Sequence, residues 1–247
     1  MPVEQHSRPH TRIRIGVAGW SVPAPYRNNG SVGSHLEQYA RYFDCVEINS
    51  SFYKPHLPTT FARWAACVPA DFRFSVKLPK LITHEKRLVS CRDAVERFYR
   101  SASGLDGKLE VLLMQLPPSL AFDAATAQAT LTQLRDAFTA TIACEARHSS
   151  WFRPRVDRLL GALRITRVAA DPAVGGAPME VDTAHAAYVR LHGRPRVYYS
   201  AYSSEYLDAL ASKLKPRGAT ADVWCIFDNT ALGAAWPNAL RLKESLR

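Results

Sequence analysis

The chain of 247 residues lacks several features that would assign it to a specialised class of protein. Its five cysteines are odd in number and scattered, without a CxxC pair, so neither a disulfide framework nor a zinc site is predicted. No run approaches the roughly 18 apolar residues of a membrane-spanning helix, and the N-terminus lacks the apolar segment of a signal peptide. These absences predict a soluble, cytoplasmic protein that is not associated with a membrane.

Nucleotide-binding motifs and domain linkers are also absent from the sequence. Gly16 and Gly19, followed by Trp20, do not form the GxGxxG pattern, and no P-loop is present, so no cofactor is assigned. No Ser/Gly-rich stretch or change in composition marks a domain boundary. We therefore predict a flexible segment over residues 1–11 and a single domain over residues 12–247.

Basic residues exceed acidic residues along the chain. Lys and Arg total 32 against 22 Asp and Glu, which gives a formal net charge of +10. The excess is concentrated from Lys77 to Arg92 and from Arg147 to Arg167, although most such segments are only solvated surfaces. This balance favours a small anionic substrate or a nucleic acid fragment as the partner.

Eight short apolar runs cross the chain, and nearly all end on a charged or amide side chain. Segments with helical spacing lie between them, and the tail from Trp236 to Leu246 is predicted to be a closing helix. We predict an α/β fold, a single (β/α)8 TIM-barrel-like domain with parallel strands; an open doubly wound sheet is the main alternative. The runs are Ile13 to Gly19, Cys45 to Asn49, Phe72 to Leu78, Leu109 to Gln115, Thr141 to Glu145, Ile165 to Asp171, Tyr188 to His192 and Val223 to Asp228.

Alternation of side chains along each strand predicts which residues face the barrel interior. In the second, third and seventh runs, the rule places Glu47, Ser75 and Tyr188 inside. In the sixth run it places Ala169 and Asp171 inside. Applied to seven runs, it brings ten polar residues to the C-terminal end of the interior, where enzymes of this fold have their active sites: Glu47, Asn49, Lys77, Gln115, Glu145, Arg147, Asp171, Arg190, His192 and Asp228.

Each of these residues also has a purely structural interpretation. Glu145 with Arg147, or Asp171 with Arg190, could form ion pairs that only hold the fold together. Asn49 could cap the segment that follows it. The prediction of a pocket rests on the joint placement of the ten residues, because so many buried charges are costly to maintain for stability alone.

Nine ordered motifs cover almost the whole chain, and on them the chain resembles the YecE-like proteins, also called domain of unknown function 72. The resemblance implies a TIM-barrel-like fold, and the loop after Ser21 and the segment after Asp171 depart from the family pattern. The motifs are GVAGWS (Gly16 to Ser21), VEINSSFYKP (Val46 to Pro55), FRFSVKLPKLITHEKRL (Phe72 to Leu88), QLPPS (Gln115 to Ser119), CEARHSSWF (Cys144 to Phe152), YVRLHG (Tyr188 to Gly193), YSSEYL (Tyr202 to Leu207), FDNT (Phe227 to Thr230) and NALRLKESL (Asn238 to Leu246).

The resemblance supports many of the strand-end residues and adds further family positions. The residues that it adds to the candidate substrate-binding set are Tyr53, His84, Arg87, His148, Trp151, Tyr202 and Asn229. The other substrate-binding candidates come from the strand ends: Asn49, Lys77, Gln115, Arg147, Asp171 and Arg190. The catalytic candidates are Glu47, Glu145, His192 and Asp228.

Paired carboxylates on different strands are what general acid/base catalysis requires, and Glu47 with Glu145 is the favoured pair. The leading hypothesis is a hydrolase or lyase that acts on an anionic substrate such as a sugar phosphate or nucleotide, with no metal ligand assigned. Two alternatives remain. One is a metal-dependent phosphoesterase or isomerase; the other is a nucleic-acid-binding protein without catalysis. The metal site would use Glu47, Glu145, Asp171, His192 and Asp228.

Overall fold

The computed structural model describes residues 12–27, 33–173 and 186–247, so the segment predicted to be flexible, 1–11, lies outside the described residues. Its strands form one parallel sheet in the order β1-β8-β7-β6-β5-β4-β3-β2. Eight parallel strands curved in this way confirm the TIM-barrel-like prediction. The strands are β1 Ile13–Val17, β2 Cys45–Ile48, β3 Arg73–Lys77, β4 Leu109–Gln115, β5 Thr141–Glu145, β6 Ile165–Asp171, β7 Ala186–Leu191 and β8 Asp222–Phe227.

Helices lie between the strands and pack against the outside of the sheet. The predicted closing helix is present as the last helix, where Trp236, Ala239 and Leu242 are buried. The connection from β6 to β7 includes residues 174–185, which are outside the described part of the chain. The helices are α1 His35–Tyr39, α2 Ser50–Tyr53, α3 Pro58–Ala66, α4 Arg92–Ala102, α5 Ala124–Ala137, α6 Pro154–Ala162, α7 Ser204–Gly218 and α8 Ala235–Ser245.

The barrel is nearly closed between β1 and β2, and a tyrosine from α1 bridges these two strands. One isolated parallel bridge joins Ala18 to Glu47, and the Gly19 amide donates to the Glu47 carbonyl at 2.8 Å. The Tyr39 hydroxyl accepts from the Val17 amide at 2.9 Å and donates to the Cys45 carbonyl at 2.8 Å. It thereby satisfies one backbone donor and one backbone acceptor that a continuous ladder would have paired.

The buried apolar side chains form two separate clusters, one inside the barrel and one between the sheet and the helices. Their membership confirms the predicted facing of every strand to which the alternation rule applies, except β6. The interior cluster contains Leu113 and Tyr188, as the rule requires. In β6, however, Val168 belongs to the interior cluster while Ala169 belongs to the outer core, so the predicted inward facing of Ala169 and Asp171 was wrong. Strands buried on both faces carry apolar residues at both parities, so alternation alone does not identify the interior face of this strand.

Ion pairs also close the N-terminal end of the barrel. Arg14 lies 3.3 Å and Arg73 3.5 Å from the Glu110 carboxylate, and the Trp224 indole donates to it at 2.9 Å. These contacts hold β1, β3, β4 and β8 together at the end of the barrel opposite the strand C-termini. In this fold that end contributes to stability, whereas the C-terminal end carries function.

Gly193, which follows His192 at the end of β7, is a position where the backbone requires glycine. Its φ is +97°, and a Cβ there would lie 2.7 Å from the Ser200 carbonyl oxygen. We expect Gly193→Ala to lower the free energy of unfolding by about 1–3 kcal/mol, the cost typical of a strained backbone residue.

Urea denaturation, with Gly161→Ala as the matched control, checks this prediction. Gly161 lies in α6, where an added Cβ would meet nothing within 4 Å. Replacing a helical glycine with alanine is expected to raise stability by up to about 1 kcal/mol. Equal stabilities of the two variants would show that Gly193 is not under the constraint described.

Candidate active site

The buried guanidinium of Arg190 lies at the centre of the C-terminal end of the barrel and binds three carboxylates. Its Nε and Nη2 donate to the two oxygens of Glu47 at 3.1 and 2.8 Å. Its Nη1 donates to Glu145 at 2.5 Å, and Nη2 also donates to Asp228 at 2.9 Å. Burial lowers the pKa of Arg190, but Glu145, Glu47 and Asp228 outweigh it and the pKa is raised well above its usual value. Arg190 is therefore permanently charged.

His192 lies between two of these carboxylates. Its Nε2 is 3.2 Å from Glu145 Oε1, and its Nδ1 is 3.0 Å from Asp228 Oδ2. An ionised carboxylate only accepts hydrogen bonds, so both ring nitrogens must donate and the ring is the imidazolium. Burial lowers the pKa of His192, but the hydrogen bonds to Asp228 and Glu145 outweigh it, so the pKa is raised.

The carboxylates of Glu145 and Asp228 are both held in the ionised form. Burial raises the pKa of Glu145, but Arg190, His192 and Arg147 bring it well below the usual value. Burial likewise raises the pKa of Asp228, and Arg190, His192 and Lys77 bring it below the usual value. Arg147 contributes through two hydrogen bonds to Glu145 Oε1, at 2.7 and 3.1 Å. Glu145 is thus unsuited to the proton-donating role that one member of an acid/base pair must have.

Stability should depend on pH through His192. The pKa of His192 in the folded protein is raised above the usual 6.5. The free energy of unfolding that protonated His192 contributes is therefore complete below pH 6.5 and is lost as pH rises through the folded pKa. Arg190 and Arg147, with raised pKa values, and Glu145 and Asp228, with lowered pKa values, surround it and keep their charges over that range. We expect the stability difference between wild type and His192→Gln to shrink from pH 6 to pH 9.

Chemical denaturation at several pH values measures this difference. His35→Gln is the control, since His35 is an exposed residue of α1. A difference between wild type and His192→Gln that is constant over the whole range would contradict the imidazolium assignment.

Three groups of the network reach the opening of the barrel. The side chains of Glu47, Glu145, Arg190 and His192 are at most 2% exposed, whereas Asp228 is 13% and Arg147 16% exposed. The third group is the half-buried ammonium of Lys77, which lies 4.4 Å from the centroid of the Phe52 ring. Asp228, Arg147 and Lys77 are therefore the charged groups that a ligand would meet first.

The charges of this cluster sum to a small positive value. Glu47, Glu145 and Asp228 supply three negative charges; Arg190, Arg147, Lys77 and protonated His192 supply four positive ones, leaving +1. The Lys77 ammonium forms no ion pair with any described residue. Its pKa is lowered, mainly by burial and also by the neighbouring Arg190 charge. An anion at the opening would bind next to Lys77 without displacing an existing partner.

Comparison with known proteins identifies the family to which this barrel belongs. The family described as "Protein of unknown function DUF72" matches residues 14–247. The chain belongs to the DUF72 family. Solved DUF72 family proteins from Enterococcus faecalis V583 and Thermotoga maritima MSB8 superimpose with TM-scores of 0.80 and 0.79, at 24% and 27% identity, covering 96% and 95% of this chain and 98% of each of the others.

Two proteins described as UPF0759 proteins are similar in sequence. The UPF0759 protein YecE of Escherichia coli K12 is 38% identical over 106 residues, which are 42% of this chain and 38% of YecE. The chain thus matches well under half the length of that relative. The UPF0759 protein YunF of Bacillus subtilis 168 is 24% identical over 268 aligned positions, covering 95% of this chain and 94% of YunF.

In this DUF72 protein, several predicted residues lie around the opening. Asn49 follows β2, and its buried Oδ1 has no hydrogen-bond partner among the described residues. Gln115 ends β4 next to Glu145, its register partner in β5. His84 packs edge-on against Phe52 at 4.9 Å between ring centroids, so it lies beside Lys77. These residues join Lys77 and Arg147 at the opening.

Other predicted residues of this DUF72 protein make contacts away from the Arg190 cluster. Trp151 is buried and donates to the Leu120 carbonyl at 2.9 Å. His148 accepts from the Ser150 amide at 3.2 Å as a helix cap. Arg87 donates to the carbonyl and hydroxyl oxygens of Ser119 at 2.7 and 3.0 Å. Tyr53 is 73% exposed.

Three further predicted residues form a second polar group on the outer side of the sheet. Asp171 accepts from the Tyr202 hydroxyl at 2.9 Å and pairs with Arg194 at 2.5 Å. Asn229 is buried and donates to the Ser200 carbonyl at 3.0 Å. The facing of β6 explains the separation, because Asp171 follows Ala169 toward the helices. The sequence therefore grouped Asp171 with the wrong set of carboxylates.

Two residues that extend the hydrogen-bond network around Arg190, Tyr188 and Ser75, are not among the predicted site residues. The Tyr188 hydroxyl lies 2.8 Å from Glu47 Oε2 and 2.7 Å from Ser75 Oγ, so it connects β2, β3 and β7 below the carboxylates. The alternation rule placed both Tyr188 and Ser75 inside the barrel, but neither ends a strand. Their inward parity next to Glu47 and Arg190 was the signal that could have identified them.

The described residues of this DUF72 protein contain no group of three or more His, Cys, Asp or Glu side chains arranged to hold a metal ion. Instead, Arg190 occupies the space among Glu47, Glu145 and Asp228, three of the ligands in the metal hypothesis.

No helix within the described residues combines the length and apolar character needed to cross a membrane.

Proposed function

We propose that the C-terminal end of the barrel is the active site of an acid–base hydrolase or lyase whose substrate is a small anion, such as a sugar phosphate or a nucleotide. The observation that carries the proposal is the cluster of three carboxylates around buried Arg190, with His192 held between two of them. Breaking such a cluster is costly, and replacing it with apolar residues is often neutral or stabilising, so stability alone gives little reason to keep it.

In this proposal the exposed members of the cluster contact the substrate. Lys77 and Arg147 bind its anionic group, since both are cationic and border the opening. Asp228, the most exposed of the three carboxylates, accepts a proton from the substrate or from an attacking water molecule. His192 lies 3.0 Å behind it as an imidazolium, so its Nδ1 proton reaches the leaving group through Asp228.

Glu47 and Glu145 have a different role in this proposal from the acid/base pair that the sequence favoured. Both bind Arg190, and neither is more than 1% exposed. They therefore act as positioning residues that fix the guanidinium beneath the opening. A fixed positive charge there would stabilise negative charge that develops on the substrate, because a pre-oriented group needs no reorganisation during the reaction.

Binding of simple anions tests the first part of the proposal. We expect inorganic phosphate and ribose 5-phosphate to bind the wild-type protein at low salt, and Lys77→Met to weaken both at least fivefold, the effect of losing about 1 kcal/mol from one charge pair. Isothermal titration calorimetry measures the affinities. Lys213→Met is the control, since Lys213 is an exposed residue of α7. Equal affinities in wild type and Lys77→Met would overturn the assigned role of Lys77.

Turnover tests the second part. A panel of sugar phosphates, nucleoside monophosphates and short oligonucleotides, followed by mass spectrometry, is expected to reveal a product of bond cleavage. Tight, salt-dependent binding of oligonucleotides without turnover of any compound would instead favour the nucleic-acid-binding alternative. Restoration of turnover only by an added divalent cation would favour the metal-dependent alternative.

A further inference from the structure

A cavity of about 330 Å³ lies outside the barrel, beside the active-site opening. It is lined by α2, by Phe61 of α3, by α4 and by a π-helical turn at Leu81–Glu85, and it is open on one side. Its walls are mainly apolar and include Phe52, Phe61, Ile82 and Phe98. This volume and lining fall within the range of small-molecule binding sites, about 300–1,000 Å³ with mostly hydrophobic walls.

The backbone beside this cavity has an unusual conformation. π-Helical turns are rare and are often found at functional sites. Immediately after this one, Arg87 and Leu88 have φ values of +50° and +67°, although neither is glycine. Such conformations cost about 1–3 kcal/mol each and concentrate at ligand-binding positions. The turn itself lines the cavity through Leu81, Ile82 and Glu85, whereas Arg87 and Leu88 follow the turn and do not line the cavity.

The rim of the cavity is positively charged. Lys54, Lys80 and Arg97 border it together with one acid, Glu85, for a formal charge of +2. Lys80 pairs with Glu85 at 3.0 Å, whereas Lys54 and Arg97 form no ion pair with any described residue. Two cations thus remain available at the edge of an apolar cavity, which is the complement of a molecule with an apolar body and one anionic group.

We propose that this cavity is a second binding site, and that its ligand is a small aromatic anion such as an aryl carboxylate or an aryl phosphate. The aromatic ring lies among Phe52, Phe61 and Phe98, where edge-to-face contacts are favourable. The anionic group lies at the rim near Lys54 and Arg97. The site is distinct from the proposed active site but shares a wall with it, because the Phe52 ring also contacts the Lys77 ammonium.

Three probes separate this site from the active-site opening: 1-naphthyl phosphate, 1-naphthol and inorganic phosphate. We expect the wild-type chain to bind 1-naphthyl phosphate at least tenfold more tightly than either of the others by isothermal titration calorimetry. Inorganic phosphate at a concentration that saturates the opening should leave this binding in place, because it lacks the aromatic ring that the cavity binds. Loss of 1-naphthyl phosphate binding under that competition would overturn the proposal and assign the ligand to the opening.

Two variants locate the binding within the cavity. Ala94→Leu on α4 fills the cavity and is expected to weaken 1-naphthyl phosphate at least tenfold, while Ala211→Leu on α7, at an equally buried alanine, should not. Arg97→Glu at the exposed rim should weaken 1-naphthyl phosphate about fivefold and leave 1-naphthol unchanged. If Ala94→Leu does not fold, Arg97→Glu decides alone. If a folded variant binds 1-naphthyl phosphate as tightly as the wild type does, the proposed second site is wrong. This outcome does not depend on whether inorganic phosphate binds at the active-site opening.

Discussion

Replacing Arg190 with methionine is expected to lower the free energy of unfolding by about 3–5 kcal/mol, the cost of leaving buried charges without their partner. The guanidinium makes four hydrogen bonds to Glu47, Glu145 and Asp228. Without it, three carboxylates would face one another inside the barrel. Methionine keeps most of the side-chain volume, so the loss reports the missing charge more than a cavity.

Urea denaturation at pH 7 measures this loss, and Arg241→Met is the matched control. Arg241 pairs with Asp208 at 2.9 Å on the surface, where the two side chains are 40% and 49% exposed. Such pairs contribute about 0–1 kcal/mol. A loss for Arg190→Met no larger than that of Arg241→Met would mean that the buried cluster is not held together by Arg190.

Replacing Asp228 with asparagine is expected to lower kcat for the substrate found in the turnover panel by about 10²–10⁴-fold, the usual contribution of a general acid or base. Asparagine has nearly the same shape, and its amide oxygen can still accept from Arg190 or His192. It cannot accept a proton from the substrate. Thermal stability should therefore fall much less than activity, in contrast to Arg190→Met.

Steady-state kinetics and thermal denaturation of the same samples test this prediction, with Asp136→Asn as the control. Asp136 is an exposed residue of α5 at a distance from the opening, and its change should affect neither quantity. A fully active Asp228→Asn enzyme would remove Asp228 from the proposed mechanism. A variant that loses kcat and unfolds at the same time would assign Asp228 a structural role.

The sequence predicted the barrel well because its evidence is repeated along the chain. Eight apolar runs at similar spacing, and the alternation within them, place Glu47 and Arg190 inside the same end. The rule was wrong for β6, where Val168 and Ala169 are both apolar and both faces of the strand are buried. Asp171 was misplaced for the same reason.

The partners within the site could not be read from the sequence. Alternation gives the side to which a residue points, but not the distance between two strands across the barrel. Arg190 binds Glu47 and Glu145 together, so neither carboxylate is free. This arrangement depends on the registers of β2, β5 and β7. In the proposed function, the favoured acid/base pair is therefore a pair of positioning residues. The cavity beside α4 involves loops and helices, on which strand alternation carries no information.

The Tyr39 hydroxyl connects barrel closure to the docking of a helix. Tyr39 belongs to α1, yet it bridges Val17 of β1 and Cys45 of β2, the two strands that share one isolated backbone bridge. Docking of α1 therefore adds two hydrogen bonds to the contact between the first and second strands. We expect this seam and the helix to open as one cooperative unit. Their amides are expected to exchange with solvent in a single opening event that exposes the Glu47 end of the barrel.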